Sequence, residues 1–561
     1  MTIELDFEND FSENQDNAIT PGVRVGTVVG GSLSKGLIVK LDAGELPGSM
    51  IEQLAVGRYV VVRGLTERRF FCIVTDVSLE HTNPSIESNP PETADIAEIY
   101  RSTLAYGKAN VAPMLVLERG SKEPKPVKTI PAHFSIVAQA NEEDVAQVFG
   151  KEDSDHFYIG NPIEMDQVPI NVNLDRFVER SSGVFGKSGT GKSFITRTLL
   201  SGIIKSSKAS CLIFDMHNDY GWAIKNEHGS EYKGLQQLFD ANRVNVITLD
   251  PKTSQARGNR HDGALHIPYD AIEPEDIAML AGVLTLSEVQ VNALYFLRRR
   301  LGRKWLRKLL SNDENDQSEL DEFVQQGDLI KGTLGAIQRK FEIFRRMGFL
   351  QTNVSEDLVE TLFQKLNSGI SIVLEFGTYG DSLPAYMFVA NYLTRRIHHR
   401  YVDTKNKAFG DKVDEPNPLM IVIEEAHKFL DPEISRHTIF GTIARELRKY
   451  NVTLLVVDQR PSGIDDEVMS QIGTRVTCLL DNESDIRSVF SGVSGASALR
   501  EVLARLDTQQ QALIMGHAVP MPVVIRTRDY GPALYEEISQ RADQMQSNEE
   551  KVAQAKTDLF G

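Results

Sequence analysis

The stretch GVFGKSGTGKSFITRTLL, residues 183–200, decides the fold, because it has the spacing of a phosphate-binding loop. Glycines allow the backbone N–H groups of such a loop to turn towards a phosphate without obstruction from side chains. Lys192 can reach the outer phosphates, and the hydroxyl of Ser193 can coordinate Mg²⁺. The preceding residues have the pattern of a strand and the following ones that of a helix, whose positive N-terminal end would face the anion. The candidate nucleotide-binding residues of this stretch are Gly186, Gly189, Thr190, Gly191, Lys192, Ser193 and Phe194.

From about residue 179, short apolar runs alternate with helical stretches. The runs are SGVFG, SCLIFD, RVNVITLD, SIVLEF, LMIVIEEAH, NVTLLVVDQRP, TRVTCLL, QALIMG and PVVIRTR. This alternation predicts an α/β fold with a doubly wound, largely parallel sheet. Between about residues 271 and 367 the strand-like runs disappear and the apolar residues take helical spacing, which predicts a helical insert. Within the insert, residues 311–322 (SNDENDQSELDE) are predicted to form an acidic hinge or loop.

The residues before this domain have a β-rich pattern. The runs VRVGTVVGG, GLIVKLD, GRYVVVRG, RFFCIVTDVSL and APMLVLER are short, rich in β-branched and aromatic residues, and separated by glycine. Several short strands with close turns predict a small barrel. The sequence therefore predicts four regions: an acidic flexible arm at 1–19, a β-rich domain at 20–160, the α/β core at 161–530 and a polar helical tail at 531–561.

A second element, which nucleotide hydrolysis requires, occurs in the stretch PLMIVIEEAHKFL. Residues 420–423 are apolar and predict a buried strand that delivers Glu424 and Glu425 to its carboxyl end. Ligands of doubly wound sheets collect at that edge. Glu424 is expected to order the Mg²⁺ shell, and Glu425 to orient and polarise the attacking water. The alternative is that the two carboxylates only favour the start of a helix.

Two other predicted strands also end in polar residues. LLVVDQRPS ends with Gln459 and Arg460, and the amide of Gln459 could sense the γ-phosphate; the alternative is a turn that simply terminates the strand. CLIFDMHNDYG ends with Asp215, His217 and Asp219, which suggest a second set of contacts to nucleotide, metal or water. For Asp219 a capping role is nearly as good an interpretation.

One predicted helix, in the stretch GTIARELRKYNVTLLVV, carries Arg445 and Arg448 on one face just before the strand of Gln459. Ring-shaped ATPases use an arginine from a neighbouring subunit to neutralise charge as the phosphoryl group leaves. A solvated basic face explains the spacing equally well, so the pattern leaves both interpretations open.

Composition and charge limit the possible classes of protein. The chain has 561 residues, of which 41% are hydrophobic and 25% charged, and its net charge is −17. This acidity argues against a protein that coats nucleic acid over its whole surface, but not against a local basic channel. The apolar runs are much shorter than the ~20 residues of a membrane helix. Cys72, Cys211 and Cys478 lie far apart, which favours buried thiols in a reducing cytoplasm.

In this order, the phosphate-binding loop, DMHNDYG, IVIEEAHKF, ARELRKY and VVDQRPS resemble the motifs of the HerA family of hexameric ATPases, which is related to the FtsK DNA pumps. The resemblance covers about residues 20–530. It implies a RecA-like P-loop NTPase core with a helical insert, preceded by the family's N-terminal HAS-barrel. It further implies an ATP-driven double-stranded DNA translocase or helicase that works as a homo-hexameric ring with ATP between neighbouring subunits.

The resemblance also assigns roles to single residues. Lys192 and Ser193 match the phosphate-binding loop, Glu425 matches the catalytic glutamate, and Gln459 matches the polar sensor. Two positions follow the family pattern less closely. The family often has Asp-Glu-Ala-His where this chain has Glu424-Glu425-Ala426-His427, and often His-Gly-Glu at residues 217–219, so the role of Asp219 is weakly supported.

Three arginines acquire possible roles through the same resemblance. Arg448 or Arg445 matches the arginine that acts on a neighbour's nucleotide. Arg180 matches an arginine just ahead of the phosphate-binding loop that contacts nucleotide in the family, although the residue pattern alone suggests nothing special at this position.

Family partners and a pore follow from the resemblance as well. The barrel face of HerA proteins docks a partner, often a nuclease such as NurA, and bacterial relatives pair with effectors such as sirtuin-like NAD hydrolases in phage defence. Residues 252–260 (KTSQARGNR) and 298–308 (RRRLGRKWLRK) are candidates for the DNA-contacting pore, although each could be an ordinary solvated face. An ATP-regulated hexameric scaffold without processive movement is the alternative function, and a conjugation or secretion motor is a third.

Overall fold

A computed structural model describes residues 22–42, 49–66, 68–118, 124–163, 165, 167–225, 229, 231–354, 358–411, 414–436, 438–446, 449–493, 496–504, 506 and 510–539. The acidic arm predicted for residues 1–19 and the last part of the predicted tail lie outside these residues. The chain forms two compact units. Unit 1 comprises residues 1–151, 160–171 and 495–502, and unit 2 comprises residues 152–159, 172–494 and 503–561.

Residues 1–151 of unit 1 contain, where the structure describes them, strands of 2 to 13 residues and four helices. Their bounds are β1 (Arg24–Ser32), β2 (Gly36–Leu41), α1 (Ser49–Gln53), β3 (Tyr59–Arg63), β4 (Arg69–His81), α2 (Ser85–Ser88), α3 (Ala94–Thr103), β5 (Ala105–Leu117), β6 (Lys125–Pro126), β7 (Ile136–Gln139) and α4 (Glu142–Phe149). Six strands form a closed barrel in the order β2-β1-β7-β3-β4-β5, closed by pairing of β2 with β5, and β6 flanks β5. Fully buried side chains such as Val39, Val60 and Cys72 fill its interior. The predicted small barrel is therefore confirmed.

The strand and helix that flank the phosphate-binding loop lie near the start of the long segment of unit 2 that begins at residue 172. The elements up to the insert are β8 (His156–Pro162), β9 (Ile170–Asn173), α5 (Leu174–Glu179), β10 (Ser182–Phe185), α6 (Lys192–Lys205), β11 (Ser210–Asp215), β12 (Ile224–Lys225), β13 (Glu231–Tyr232), α7 (Leu235–Phe239), β14 (Val244–Thr248), α8 (Pro251–Ala256), β15 (Gly263–Ala264) and β16 (Ile267–Pro268). The boundaries between the two units fall within or next to β8 and β9.

Helices dominate residues 269–367. They are a 3₁₀ turn (Tyr269–Ala271), α9 (Pro274–Ala278), α10 (Glu288–Leu301), a second 3₁₀ turn (Gly302–Lys304), α11 (Trp305–Leu310), α12 (Glu314–Gln325), α13 (Lys331–Lys340), α14 (Glu342–Arg345), and, after the short strand β17 (Leu350–Gln351), α15 (Leu358–Asn367). β17 pairs in parallel with β16.

The acidic stretch 311–322 is not a loop, so that prediction is wrong. Residues from Glu314 onwards form α12, and Asp313 caps it by accepting a hydrogen bond from the N–H of Asn315 at 2.9 Å. Acidic residues in a first helical turn are favoured by the helix dipole. Leu320 and Phe323 are buried on its inner face. The helix therefore forms because its few apolar residues have a core to pack against, which the local composition does not reveal.

The remaining elements complete a large sheet. They are β18 (Ser371–Glu375), a 3₁₀ turn (Gly377–Tyr379), α16 (Leu383–Asp411), β19 (Leu419–Glu424), α17 (His427–Leu430), α18 (Ile439–Glu446), β20 (Val452–Asp458), a 3₁₀ turn (Pro461–Gly463), α19 (Asp466–Gln471), β21 (Thr474–Thr477), α20 (Glu483–Val489), α21 (Ala496–Ala504), β22 (Gln511–Gly516) and β23 (Val523–Thr527). Residues 532–539 are helical.

The sheet of unit 2 has the strand order β15-β14-β18-β11-β19-β20-β10-β21-β22-β23-β8-β9. The pairs from β15 through to β21 are parallel, and β22 and β23 are antiparallel to their neighbours. Every residue of β11, β19 and β20 is buried, as expected for parallel strands covered on both faces. The predicted α/β fold with a largely parallel sheet is confirmed.

The three cysteines are buried and free. This agrees with the interpretation of the sequence, while the cytoplasmic location drawn from it stays a prediction. Among the helices that the structure describes, none combines the length and the apolar character needed to cross a lipid bilayer.

The two tryptophans of the chain offer a test of packing in the helical residues. Trp305 is fully buried and its Nε1 donates to the carbonyl of Ile272 at 2.9 Å. Trp305→Phe should lower the free energy of unfolding by about 1–3 kcal/mol, since it leaves that carbonyl unpaired and opens a void. The measurement is thermal unfolding followed by circular dichroism.

Trp222 supplies the matched control, because its buried Nε1 has no hydrogen-bond partner. Trp222→Phe removes an unsatisfied donor and should leave the unfolding temperature unchanged or slightly higher. Equal losses for the two substitutions would contradict the assigned role of the Trp305 hydrogen bond.

Candidate functional site

The phosphate-binding loop lies between β10 and α6, and its glycines have backbone geometry that other residues would disfavour. Gly191, which precedes α6, has φ +93°. A Cβ atom at Gly186 would lie 2.7 Å from the Cβ of Cys478. The hydroxyl of Thr190 donates to the carbonyl of Lys187 at 2.7 Å, which closes the loop. The loop is thus preshaped as a turn at the carboxyl end of β10.

The side chains that follow the loop face the carboxyl edge of the sheet. Burial lowers the pKa of Lys192, and the charges of Glu425 and Asp458 partly oppose that effect. Ser193 is half-buried in the first turn of α6. The ring of Phe194 packs edge-on against Tyr232, with 4.8 Å between the ring centroids.

Glu424 ends β19 and is almost completely buried. The hydroxyl of Tyr220 donates to its Oε1 at 2.8 Å. Its backbone is also fixed, because the hydroxyl of Tyr386 donates to its carbonyl at 2.9 Å and accepts from its N–H at 3.2 Å. Burial, together with the charge of Asp215, raises the pKa of Glu424 to about 8. Its Oε2 is buried without a hydrogen-bond partner.

Glu425 has a different environment from its neighbour. Its φ is +48°, in the left-handed region that is costly for a residue with a side chain. Such strain persists where the surroundings impose it, often at functional sites. The Nε2 of Gln459 donates to Oε1 of Glu425 at 3.0 Å. The structure therefore brings together the two residues that the sequence had proposed as catalytic base and sensor.

Asp458 and His427 are site residues that the sequence analysis missed. Asp458 is fully buried, and it accepts from the backbone N–H of His427 at 2.7 Å and contacts its Nδ1 at 2.9 Å. Burial raises the pKa of Asp458, but the hydrogen bonds and charge of His427, together with the hydrogen bond from the N–H of Arg460, outweigh burial and lower the pKa. Oε2 of Glu425 lies 3.7 Å from the same Nδ1.

Glu425, His427 and Asp458 each place one potential ligand atom within 4.8 Å of the others, so they could hold a cation. The hydrogen bonds already made between His427 and Asp458 account for the arrangement more simply: they fix the start of α17 and the end of β20. The signal in the sequence was the aspartate directly before Gln459 at the end of an apolar run.

Asp215 is buried at the end of β11 and shapes its own loop. Its carboxylate accepts backbone N–H groups of Asp219 at 2.7 Å and of Tyr220 at 2.8 Å. Burial raises its pKa to about 6 despite these bonds. His217 is exposed. The structure thus gives Asp215 a role in positioning Tyr220, and direct contact with nucleotide stays a prediction.

Glu375 forms part of the same acidic edge, and the sequence analysis did not single it out. It ends β18 opposite Asp215 in the parallel register. Ser254 of α8 donates to its Oε2 at 3.2 Å. Burial and the charge of Asp215 raise its pKa to about 7. SIVLEF does end a strand in a carboxylate, so the rule that identified Glu424 would have found it.

Two of the three candidate arginines, Arg445 and Arg180, lie within the described residues. Arg445 is engaged within its own chain, where its Nε donates to Glu467 at 3.1 Å and its Nη2 to Ser435 at 3.2 Å. Arg180 is exposed and follows α5, ahead of β10. Arg448 lies outside the described residues.

The two basic stretches considered for a pore differ in their pairing. In the insert, Arg298 binds Glu273 at 2.6 Å and Arg300 binds Asp328 at 3.1 Å. Lys308 is paired with Glu319. In the other stretch, the exposed basic residues are Lys252, Arg257 and Arg260. Several basic side chains of the insert are therefore already paired with acidic side chains of the same insert.

Comparison with known proteins agrees with this site. Residues 157–397 match the family model described as "Helicase HerA, central domain". The chain is 31% identical over 401 residues to a probable DNA double-strand break repair helicase HerA of Methanocaldococcus jannaschii, covering 66% of this chain and 76% of the relative. It is 23% identical over 478 residues to the DNA double-strand break repair helicase HerA of Pyrococcus furiosus, covering 80% and 82%.

Matches among solved structures include VirB4 of Thermoanaerobacter pseudethanolicus, at 13% identity and TM-score 0.43, covering 69% of this chain and 99% of that one. Another is the plasmid coupling protein TrwB bound to the non-hydrolysable ATP analogue ADPNP, at 10% identity and TM-score 0.45, covering 69% and 92%.

The resemblance drawn from the motifs is therefore confirmed by relatives that span most of the chain. With its phosphate-binding loop preceding α6 and its paired glutamates ending β19, the protein belongs to the HerA family and is an ATP-hydrolysing P-loop enzyme of the helicase and translocase type.

Proposed function

We propose that this protein uses ATP hydrolysis to move along or unwind double-stranded DNA, as a homo-hexameric ring that works with a partner nuclease or another effector. The observation that carries the proposal is the contact of 3.0 Å between Gln459 and Glu425, at the edge that the phosphate-binding loop faces. An amide that touches the catalytic base can report the state of the γ-phosphate to it. The relatives named as DNA double-strand break repair helicases support DNA as the substrate.

Within the ATP site, the residues divide the work by environment. Lys192 binds the outer phosphates. Glu425 is half-buried and reaches the solvent-accessible side of the edge, where it can orient and polarise the attacking water. Gln459 holds Glu425 in place until a γ-phosphate competes for its amide. Glu424 is almost completely buried and its Oε1 accepts from Tyr220, so it is the less accessible of the two carboxylates and is assigned no role as the base.

Mg²⁺ fits the residues at this edge. Oε2 of Glu424 is buried and has no hydrogen-bond partner, and a carboxylate oxygen is a ligand that Mg²⁺ prefers. Ser193 would supply the second protein oxygen, as its position in the motif implies. The ion, when bound, neutralises the charge that develops on the phosphates. Glu424 must be ionised to hold it, so the raised pKa makes ion binding compete with a proton.

The reason for proposing a ring is that a neighbouring subunit would supply an arginine to the ATP site. The site needs a positive group to stabilise the leaving phosphoryl group. Since Arg445 is already paired with Glu467 and Ser435 of its own chain, we assign the arginine supplied to the neighbouring subunit to Arg448. Arg180, exposed ahead of β10, is proposed to contact nucleotide as the family pattern implies.

The DNA path is assigned to residues 252–260. This stretch includes α8, which follows β14 at the carboxyl edge of the sheet. Ser254 ties α8 to Glu375, whose pKa responds to the charge of Asp215. A change in charge at the ATP site therefore affects Glu375 and, through Ser254, α8. The stretch that includes most of α8 exposes Lys252, Arg257 and Arg260. Basic residues placed there can carry DNA by its phosphates.

The partner is proposed to dock on the barrel of unit 1. Its surface exposes large apolar side chains, among them Leu65 at 85%, Phe134 at 76% and Val23 at 64%. Protein-binding surfaces bring exposed apolar side chains together, and these residues are the candidates for such a surface. A NurA-like nuclease, in the repair of DNA ends, or a sirtuin-like NAD hydrolase, in phage defence, are the classes of partner that the family suggests.

Glu425→Gln should bind ATP with near-normal affinity but hydrolyse it at least about 100-fold more slowly, because the amide cannot accept a proton. The measurements are steady-state phosphate release and equilibrium binding of a fluorescent ATP analogue. Glu433→Gln is the matched control, because Glu433 is exposed in the loop after α17. This variant should hydrolyse ATP at the wild-type rate. Rapid turnover by Glu425→Gln would reassign the base.

Duplex DNA should stimulate ATP hydrolysis, and Lys252→Gln with Arg260→Gln should reduce that stimulation while the DNA-free rate stays unchanged. The slope of log affinity against log salt should fall by about 1 to 2, as expected for the loss of one or two phosphate contacts. Arg303→Gln with Lys304→Gln, on exposed residues of the insert, makes the same change of charge as a control.

Loss of stimulation in the insert control alone would place the DNA path there instead. A wild-type hydrolysis rate indifferent to duplex DNA would contradict the translocase proposal and support the ATP-regulated scaffold.

The pH dependence of stability should expose the buried state of Glu424. Its pKa is raised to about 8 in the folded protein, so the contribution it makes is complete below its ordinary pKa near 4.5 and is lost as the pH rises through 8. Between pH 6 and 7.5, Glu424→Gln should therefore gain about 1.4 kcal/mol of stability per pH unit relative to wild type. Unfolding temperatures of both proteins without nucleotide or metal test this. Parallel pH profiles would show that Glu424 is ionised throughout.

A further inference from the structure

Arg197 lies on α6, the helix that begins with Lys192, and its side chain is completely buried. None of its three guanidinium nitrogens has a hydrogen-bond partner. Burying a charge without a counter-ion is costly, and natural proteins avoid it unless something else offsets the cost. The residue therefore needs an explanation, and neither the family motifs nor the ATP site described above supplies one.

Two tyrosine rings flank this guanidinium. Its carbon atom lies 5.9 Å from the centroid of the Tyr220 ring and 5.6 Å from that of Tyr530. A cation near the face of an aromatic ring is attracted by the ring quadrupole, most strongly where water is excluded. Both rings are buried, so Arg197 gains its stabilisation from being held between them.

Tyr220 connects this arrangement to the ATP site. Its hydroxyl donates to Oε1 of Glu424 at 2.8 Å, and its backbone N–H donates to Asp215 at 2.8 Å. Because Tyr386 already fixes the backbone of Glu424, only the side-chain torsions of that glutamate are free to vary. The Tyr220 hydroxyl sets those torsions, and the guanidinium of Arg197 sets the ring.

Tyr530 connects the arrangement to the C-terminal segment, residues 528–539. The Tyr530 hydroxyl donates to the carbonyl of Lys233 at 2.9 Å, and its ring packs edge-on against Tyr535 with 5.4 Å between centroids. Farther along, Glu537 is bound by both Lys205 of α6 and Arg528. The segment is thus fastened to the helix that follows the phosphate-binding loop.

We propose that Arg197 is a positioning residue for ATP hydrolysis, held between Tyr530 and Tyr220, so that docking of the C-terminal segment on α6 fixes the side chain of Glu424. The inference rests on the proposed function of Glu424 as the Mg²⁺-ordering carboxylate. It also adds a means of control. A change that separates the C-terminal segment from α6 removes the ring of Tyr530 from Arg197 and leaves Tyr220 less firmly held. Mg²⁺ binding is then weakened although the residues that bind the ion are unchanged.

The test uses the full chain and a fluorescent ADP analogue, with affinity measured at saturating Mg²⁺ and in EDTA. The Mg²⁺-dependent gain in affinity should shrink about tenfold in Arg197→Met, which keeps the length of the side chain and loses the charge, and in Tyr220→Phe, which loses only the hydroxyl. Affinity in EDTA should not change. The kcat for ATP should fall about 10- to 100-fold, and Arg197→Lys should recover part of it.

The C-terminal ring is tested separately. Tyr530→Leu should reduce the Mg²⁺-dependent gain in the same direction as Arg197→Met, whereas Tyr530→Phe, which keeps the ring, should retain more of the gain than Tyr530→Leu. The double variant Arg197→Met with Tyr220→Phe should show the same Mg²⁺-dependent gain in affinity as the more impaired of the two single variants, because both substitutions interrupt one chain of contacts.

A matched control separates positioning from folding. Arg475 is also buried, but its donors bind the carbonyls of Val489, Ser491 and Met469 at 2.6 to 2.7 Å. Arg475→Met should lower the unfolding temperature and leave the Mg²⁺-dependent gain unchanged in the folded protein.

An unchanged gain in folded Arg197→Met and Tyr220→Phe would overturn the inference, since Arg197 would then only fill space. A wild-type protein that shows no Mg²⁺-dependent gain would overturn the metal role of Glu424, and this inference with it, so the two failures give different results.

Discussion

Parallel pairing of β19, β20 and β10 is the constraint on which the site depends. The register sets Glu424 opposite Val457, and Phe185 opposite Asp458, so the ends of three strands coincide at one edge. The chain turns sharply just past that edge, at Gly186 and at Glu425, and both turns use backbone conformations of positive φ. The proposed function needs a phosphate-binding loop, Glu425 as the base and Gln459 as the sensor within reach of one nucleotide. The hydrogen-bonding pattern of the sheet delivers all three without help from any loop of unusual length.

Burial at this edge raises the pKa values of acids that would otherwise be ionised. Desolvation is the first cause for Asp215, Glu375 and Glu424, and the charge of Asp215 adds to it for the other two. A stable fold alone would favour apolar residues there, because buried carboxyls bring a desolvation cost. Clusters of perturbed acids are typical of sites that bind cations or move protons. The raised pKa values therefore support the proposed binding of a cation at this edge.

The sequence predicted the parts of this molecule that local pattern encodes. Apolar runs that end in polar residues located the core strands and placed Glu424, Glu425 and Gln459 at their ends. Three features escaped because their cause is non-local. β7, only Ile136–Gln139, closes the barrel by pairing with β1 and β3, yet its few residues carry no distinct signal. The residues of α12 have the composition of an acidic loop, and they form a helix because Leu320 and Phe323 pack into the core. Arg197 was not singled out in the sequence, and only the structure shows that it is buried near the rings of Tyr220 and Tyr530, which are remote in sequence.

The acids of the edge are coupled through Asp215, which occupies the middle position. It lies on β11, between the strand of Glu375 and the strand of Glu424, and its charge opposes ionisation of both. A cation at Glu424 would favour ionisation of that group and, by offsetting the repulsion, of its neighbours as well. Glu375 holds Ser254 at the base of the exposed basic stretch, and Glu424 holds Tyr220 beside Arg197. Charge at the nucleotide site therefore reaches two mechanically distinct regions through short hydrogen bonds, because ionisation strengthens each carboxylate as an acceptor. In the proposed function, such an edge would convert the binding and release of a charged nucleotide into changes in how firmly the surrounding elements are held.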